Sequence, residues 1–465
     1  MRFRTAAWRP LTFPVVASLL MTCAHAGMGG NSAADESRRN AGWTPWGAVK
    51  ESNRTGSIPA WSGGLPADTR PPGFVPGSGR WADPFAAEKP LYTITADNLD
   101  QHRDKLSETA QELLRRRATF RIDVYPTHRV VNYSAFFLDH SNRNRARCRT
   151  KDGGLALSGC FGGTPFPAPR NGIEAMWNVQ LAHRAPMQYS AETLVVDPVG
   201  KVSVTGRQEV ATELRYHNPA LTPEQYVAEG EPGVQGSAFH YFPQHIAGDH
   251  TLVSFFIDPV RQTNTLYRYQ HKNRRVVAVP NAQYDYPIVS SGGGMFVDES
   301  GLYFGKMDRF DFRLLGVREM IIPYSNYRAA YAAADQLATD ANHPNPDLLR
   351  WELHRVLVVE AVLKSGMRHE YARRRWYIDE DYPAWGMADA WDHSGRLYRG
   401  YFGLGFWMYD KQAGWPLTAI IIDMRTGSWI LPFHFGDAGL GISVLDSHRP
   451  RDFYSVGNFT RRVMQ

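Results

Sequence analysis

Cysteine is scarce in this 465-residue chain, with three in all, at positions 23, 148 and 160. Three thiols cannot build a disulfide framework, and no Cys-x-x-Cys pair is present to hold zinc. Long apolar runs are missing as well. The stretch from Leu11 to Leu20 covers about half of the roughly 20 residues that a membrane-spanning helix needs. Neither sign of charge dominates: 52 Lys and Arg face 46 Asp and Glu, a formal +6. Basic clusters such as "RARCR" and "RRRWY" then read as Arg stems lying on a sheet face rather than as a nucleic-acid surface. Catalytic signatures are absent too. There is no Gly-x-Ser-x-Gly elbow, no phosphate loop, no paired-glycine fingerprint opening a βαβ unit and no His-Glu-x-x-His. A pair of glycosidase carboxylates could still hide among 46 acids.

What the chain does have is turn formers and aromatics: 41 Gly, 30 Pro, 13 Trp, 22 Tyr and 23 Phe. Residues 1–26 read as a signal peptide, with Arg2, Arg4 and Arg9 before the apolar run and Ala24-His25-Ala26 as the cleavage site. Its removal would leave a formal charge of +3 and an exported, periplasmic chain. Leu20-Met21-Thr22-Cys23 also approximates a lipoprotein box, which would lipidate Cys23 and anchor the chain to the outer membrane, although Met and Thr suit it poorly. Residues 27–90, rich in Gly, Pro and Trp, read as an extended arm wrapped on a single domain of residues 91–465. In an oxidising compartment Cys148 and Cys160, joined by a Gly-rich loop, make a disulfide.

Helical spacing predicts a helix from Thr95 to about Arg117, a second over "NGIEAMWNVQLAHR" and a third from Ser325 to about Leu337. Most of the remainder reads as short β-branched or aromatic strands punctuated by Gly, Pro, Asp or Asn, "RDFYSVG" near the end among them. Tight turns such as Lys364-Ser365-Gly366 join them into a serial antiparallel meander, a β-rich α+β fold.

Two stretches are candidates for chemistry. In "HEYARRRWYIDED" (369–381), Glu370 and Glu380 would stand about 33 Å apart along a strand. The mixture of Arg and Glu suits cross-strand ion pairs better than a ligand set. In "FHYFPQHIAGDH", His240, His245, Asp249 and His250 are metal-ligand types, but their spacing matches no metal motif. No metal and no cofactor is expected.

Several segments together resemble one family. They include "GSIPAWSGGL" (56–65), "PPGF" through "WADPFAAEKPLYTITADNLDQHRDKLSE" (71–108), "FRIDVYPTHR" (120–129) and "GGTPFPAPRNGIEAMWN" (162–178). "YRYQHKNRRVVAVPNAQYDYP" (267–287), "GKMDRFDFRLLGVREMIIPYSNY" (305–327) and "RWELHRVLVVEAVLKSGMRHEYARRRWYIDED" (350–381) complete the series. They are similar to secreted Gram-negative proteins of domain of unknown function 1329, placed beside the outer-membrane lipoprotein-sorting LolA/LolB-like fold. The resemblance implies a strongly curved antiparallel sheet, a half-barrel, with helices covering its concave face above an apolar cavity. It carries over no catalytic residue. The cavity is expected to be lined by Met176, Trp177, Phe310, Phe312, Leu357, Val359, Tyr371 and Trp376. The function so implied is that of a periplasmic carrier or chaperone for a lipid-like molecule, not an enzyme, serving an envelope transporter of the resistance-nodulation-division type. The alternatives are a structural adaptor of the envelope and an envelope hydrolase.

Overall fold

The structure is a computed structural model and describes residues 42–280, 282–339 and 342–465. The expected signal peptide, Cys23 and the first part of the expected arm lie outside the described residues.

Along the chain come β1 (Tyr92–Ile94), β2 (Ile122–Tyr125), β3 (Arg149–Lys151), β4 (Ala156–Ser158), β5 (Met187–Val196), β6 (Val202–Leu214) and β7 (Pro232–Phe242). Next are β8 (His250–Phe256), β9 (Thr265–Gln270), β10 (Arg275–Ala278), β11 (Phe310–Pro323), β12 (Trp351–Leu363), β13 (Arg373–Asp379) and β14 (Gly386–Trp391). The series ends with β15 (Leu397–Gly403), β16 (Phe406–Met408), β17 (Ala413–Trp415), β18 (Ala419–Asp423), β19 (Trp429–His434) and β20 (Gly441–Val444). Sixteen of them form one sheet in the order β11-β12-β13-β14-β15-β18-β19-β5-β6-β7-β8-β9-β10. Strand β20 also pairs with β5, β1 pairs with β2, and β2 meets the start of β12. The β2–β12 contact is parallel; the other pairings are antiparallel. This is a large, mostly antiparallel sheet with few helices.

Alternation along the central strands explains why that part of the sheet is buried on both faces. Val356 and Val358 of β12 enter one core, whereas Leu357, Val359 and Ala361 enter a second on the opposite side. Tyr377 parts from Trp376 and Ile378 on β13 in the same way, and Ile420 and Ile422 part from Ala419 and Ile421 on β18. Each such Val, Leu or Ile contributes about 1.5–3 kcal/mol on leaving water.

Helices fit against these cores where capping and burial allow. The expected Thr95–Arg117 helix is shorter: Glu108–Arg116 is α-helical, starting where the Ser107 hydroxyl accepts the Ala110 amide at 3.2 Å. Ser107 itself is extended, and residues 99–105 form two separate single turns. The second expected helix is present over Gly172–Gln180, capped by Asn171. The third shrinks to Tyr327–Tyr331, because the backbone turns extended at Ala332 despite the Ala-rich sequence. "RDFYSVG" is not a strand. It is a turn whose Ser455 caps a C-terminal helix, Val456–Met464.

From 42 to 90 the chain makes no helix and no strand beyond an isolated Trp43–Val49 bridge. Trp46 and Trp81 are nonetheless buried in the first core, and the Trp61 indole donates to the Val131 carbonyl at 2.9 Å. The Cys148–Cys160 disulfide is present and joins the C-cap of the helix Ala135–Arg147 to the end of the β3–β4 hairpin.

Candidate ligand cavity

Strands β6 to β9 keep one register across their middle, between a slip at Arg207/Gln208 and another at Pro232/Gln235, so their inward residues form rows across the sheet. One row is Val210, Ala238, Thr251 and Arg268; the next is Thr212, Gly236, Val253 and Leu266. Most of these side chains are small. Where small residues face a cover that does not descend onto them, space remains. Between these rows and the segment 279–304 lies a cavity of about 310 Å³. That volume falls at the lower end of the roughly 300–1,000 Å³ usual for ligand sites.

The walls are mainly apolar. Val234, Phe255, Tyr189 and Phe433 join the rows from the sheet, and Tyr286, Ile288, Met295 and Phe304 close over them. Tyr286 and Val289 border the cavity and are also exposed, so the cover is a thin wall to solvent there.

The cover is held by polar contacts to the sheet. Gly292 and Gly293, with φ of 59° and 84°, provide the left-handed turn that folds it back, and the Ile288 amide donates to the Met295 carbonyl at 2.9 Å. The Thr205 hydroxyl donates to the Ser290 carbonyl at 2.7 Å. The strongest clamp comes from the "HEYARRRWYIDED" stretch. Arg374 Nη1 donates to Asp298 Oδ2 at 2.6 Å, and His369 Nε2 donates to the same oxygen at 2.9 Å. Because His369 Nδ1 accepts the Tyr371 amide, Nε2 is the nitrogen that carries the proton. The Tyr371 hydroxyl donates to Glu299 at 2.6 Å. Burial works to raise the Asp298 pKa, but the Arg374 charge and the His369 hydrogen bond outweigh it and hold the carboxyl below its ordinary range.

The rest of that stretch is also paired. Glu360 on β12 binds Arg375 at 2.7 Å, a cross-strand ion pair as expected. At the far end, Arg129 holds Asp381 through two contacts at 2.7 and 2.8 Å, and Arg355 reaches Glu380 at 3.1 Å. Both arginines donate to arm carbonyls, at Val49 and Glu51, so this cluster fastens the arm. His354 sits between Glu352, 3.1 Å away, and Asp379, 3.4 Å away. Burial alone would lower its pKa; the two carboxylates overcome that and push it up to about 9.

The eight residues expected to line the cavity lie elsewhere. Met176, Trp177, Phe310, Leu357, Val359 and Trp376 are buried in the second core, and Phe312 packs against it. Tyr371 belongs to a small cluster with Phe296, Ala390 and Tyr398. Large aromatics fill space rather than leave it, and none of the eight borders the 310 Å³ cavity. Leu357 instead borders a recess of about 30 Å³ beside Trp46 and Glu380. Of the histidine-rich segment, His240 borders the cavity and is hydrogen-bonded to the Thr251 hydroxyl, while Asp249 is taken by Arg268 at 2.6 Å. Among the described residues no group of three or more His, Cys, Asp or Glu could hold a metal ion. The residues that reasoning from the sequence missed are the small ones of "VQGSAFH", whose run of Gly, Ser and Ala on a strand is the signal for unfilled space.

Comparison with known proteins gives the family. An uncharacterized protein of Pseudomonas aeruginosa is 34% identical over 409 residues, which cover 86% of this chain and 87% of that one. Among solved structures, a DUF1329 family protein from Desulfovibrio piger is similar at a TM-score of 0.36 and 13% identity, covering 59% of this chain and 91% of that one. A LolA superfamily protein from Nitrosomonas europaea reaches 0.32 at 9% identity, covering 62% and 98%. The family model described as a protein of unknown function, DUF1329, matches residues 93–460, and the chain belongs to that family.

Proposed function

We propose that this protein is a carrier that holds a hydrophobic molecule in the cavity between β6–β9 and the cover 279–304. The observation that supports it is the cavity itself: about 310 Å³, walled mainly by apolar side chains, with the exposed Tyr286 and Val289 in its cover. An alkyl chain moved from water into such a space gains about 0.8 kcal/mol per buried methylene. We read the leader at residues 1–26 as directing the chain to the periplasm, where a lipid-like molecule needs shelter from water. In this reading the sheet curves into a half-barrel around its cargo, and an envelope transporter of the resistance-nodulation-division type supplies or accepts it.

Binding rather than catalysis is favoured by the lining. Among the described residues no carboxylate borders the cavity, and the His240 imidazole is engaged by Thr251 rather than by a serine. The test is native mass spectrometry of protein released from the periplasm without detergent, followed by titration of the delipidated protein with a fluorescent fatty-acyl probe. Co-purifying lipid and saturable probe binding are expected. Protein that carries nothing and does not bind the probe after delipidation refutes the reading.

A further inference from the structure

Arg184, which follows the helix Gly172–Gln180, borders the cavity and is 7% exposed. Its Nε and Nη2 are buried and have no hydrogen-bond partner among the described residues. A guanidinium does not lose its proton in a protein, so this is a charge largely withdrawn from water with two of its three nitrogens unpaired, an arrangement that costs stability. Its electrostatic neighbours are the hydroxyls of Tyr382, Tyr189 and Tyr401, with no carboxylate among them, and burial pulls its pKa down. Gly301 passes close by: a Cβ there would lie 3.1 Å from Nη2, so the cover leaves room for the guanidinium and nothing more on that side.

The other charged groups on the wall are accounted for. Arg268 is neutralised by Asp249 at 2.6 Å, and burial lowers His240 to about 4, leaving it neutral. The lining thus offers one uncompensated positive charge and no negative one, at the border of an apolar space. An unpaired buried cation beside a greasy hollow is what remains when the anion that completes it belongs to a ligand.

We propose that the cargo is an amphiphile with an anionic head, carboxylate or phosphate, whose charge pairs with Arg184 while its alkyl chain fills the rows of β6–β9. This rests on the carrier reading and names the class of molecule carried. The planar guanidinium suits either head, because both present oxygens to its N–H groups.

The experiment compares palmitate, hexadecyl phosphate and methyl palmitate by calorimetric or fluorescence-displacement titration of the delipidated full chain. It uses the wild type and Arg184→Met. The wild type is expected to bind one or both anions about 10- to 100-fold more tightly than the ester, the worth of a charge-assisted pair. Preference between palmitate and hexadecyl phosphate then tells which head is read. Arg184→Met is expected to bind all three at the level of the ester. Its ligand-free melting temperature should equal or exceed that of the wild type, because an uncompensated buried charge has gone. Equal affinity of the wild type for all three, or a preference that survives in Arg184→Met, overturns the headgroup assignment and leaves the carrier standing. Failure of the wild type to bind any of them overturns the carrier reading and this inference with it.

Discussion

Replacing Asp298 by Asn isolates the clamp that holds the cover over the cavity. The carboxylate accepts from both Arg374 and His369, and all three side chains are buried. Asn keeps the shape and one accepting oxygen but removes the carboxylate that Arg374 contacts, leaving it only the more distant charge of Glu299. Removing one partner of a buried pair costs about 3–5 kcal/mol. Even the lower figure is about a hundred-fold in the opening equilibrium of the segment, at about 1.4 kcal/mol per tenfold. The sheet beneath is built from long ladders that do not depend on Asp298, so the loss should be local. Hydrogen-exchange mass spectrometry at pH 7 should show peptides within 284–304 exchanging about a hundred-fold faster in the variant, with β14 and β15 unchanged. The pH dependence follows from the depressed pKa. The contribution is present above the ordinary carboxylate range and is lost as pH falls through and below it, so protection of the cover in the wild type should fade on acidification while the variant shows no such fading. Equal exchange in the two proteins at pH 7 would show that the buried contacts do not hold the cover.

Three further perturbations test other parts of the structure. His354, buried between two carboxylates and raised to about 9, contributes stability that is complete below about 6.5 and lost as pH rises through 9. Chemical denaturation should therefore show about 3 kcal/mol of decline across that window, removed in His354→Gln; an unchanged slope would refute the assignment. Ala238→Trp, in the middle of a cavity row, should leave far-ultraviolet circular dichroism unchanged and weaken binding of an acyl probe at least tenfold, and undiminished binding would place the ligand elsewhere. The disulfide closes a loop with a sequence separation of 12, so Cys148→Ala with Cys160→Ala should lower unfolding free energy by about 2–3 kcal/mol, and a stability equal to the wild type would count against the chain-entropy account.

Much of the sheet is readable from the sequence because period-two alternation survives burial on both faces. β12, β13, β15 and β18 carry their apolar residues in adjacent pairs that part to opposite cores. The helix Ala135–Arg147 is not readable. Its buried face carries His140, Ser141 and Asn144, which bond to neighbouring backbone and side chains, and no apolar stripe marks it. The cavity is hidden for a different reason. Val210, Gly236, Ser237, Ala238 and Thr251 read as ordinary strand residues, and their meaning depends on register between strands that a linear pattern does not reveal. Arg184 looks like any helix-terminal arginine until its surroundings show that nothing answers its charge. In "HEYARRRWYIDED" the expected cross-strand ion pairing is confined to Arg373 and Arg375 with Glu360. Residues 369–372 precede β13 rather than continue a tight hairpin, and the two ends of the stretch reach across the molecule to the cover and the arm, which no local rule foretells.

Two margins of the large sheet, β10 and β11, finish differently, and each discourages growth. Strand β10 is only four residues long, too short a ledge for another chain to zip onto. Strand β11 is long, but its ladder slips between Leu314 and Gly316, and Asp311, Arg313 and Arg318 stand exposed along it. A visiting polypeptide would meet a kinked, charged border there rather than a flat template, so recruitment of a partner by strand addition is disfavoured at both rims. On the carrier reading, exchange of cargo would then fall to the exposed part of the cover at Tyr286 and Val289.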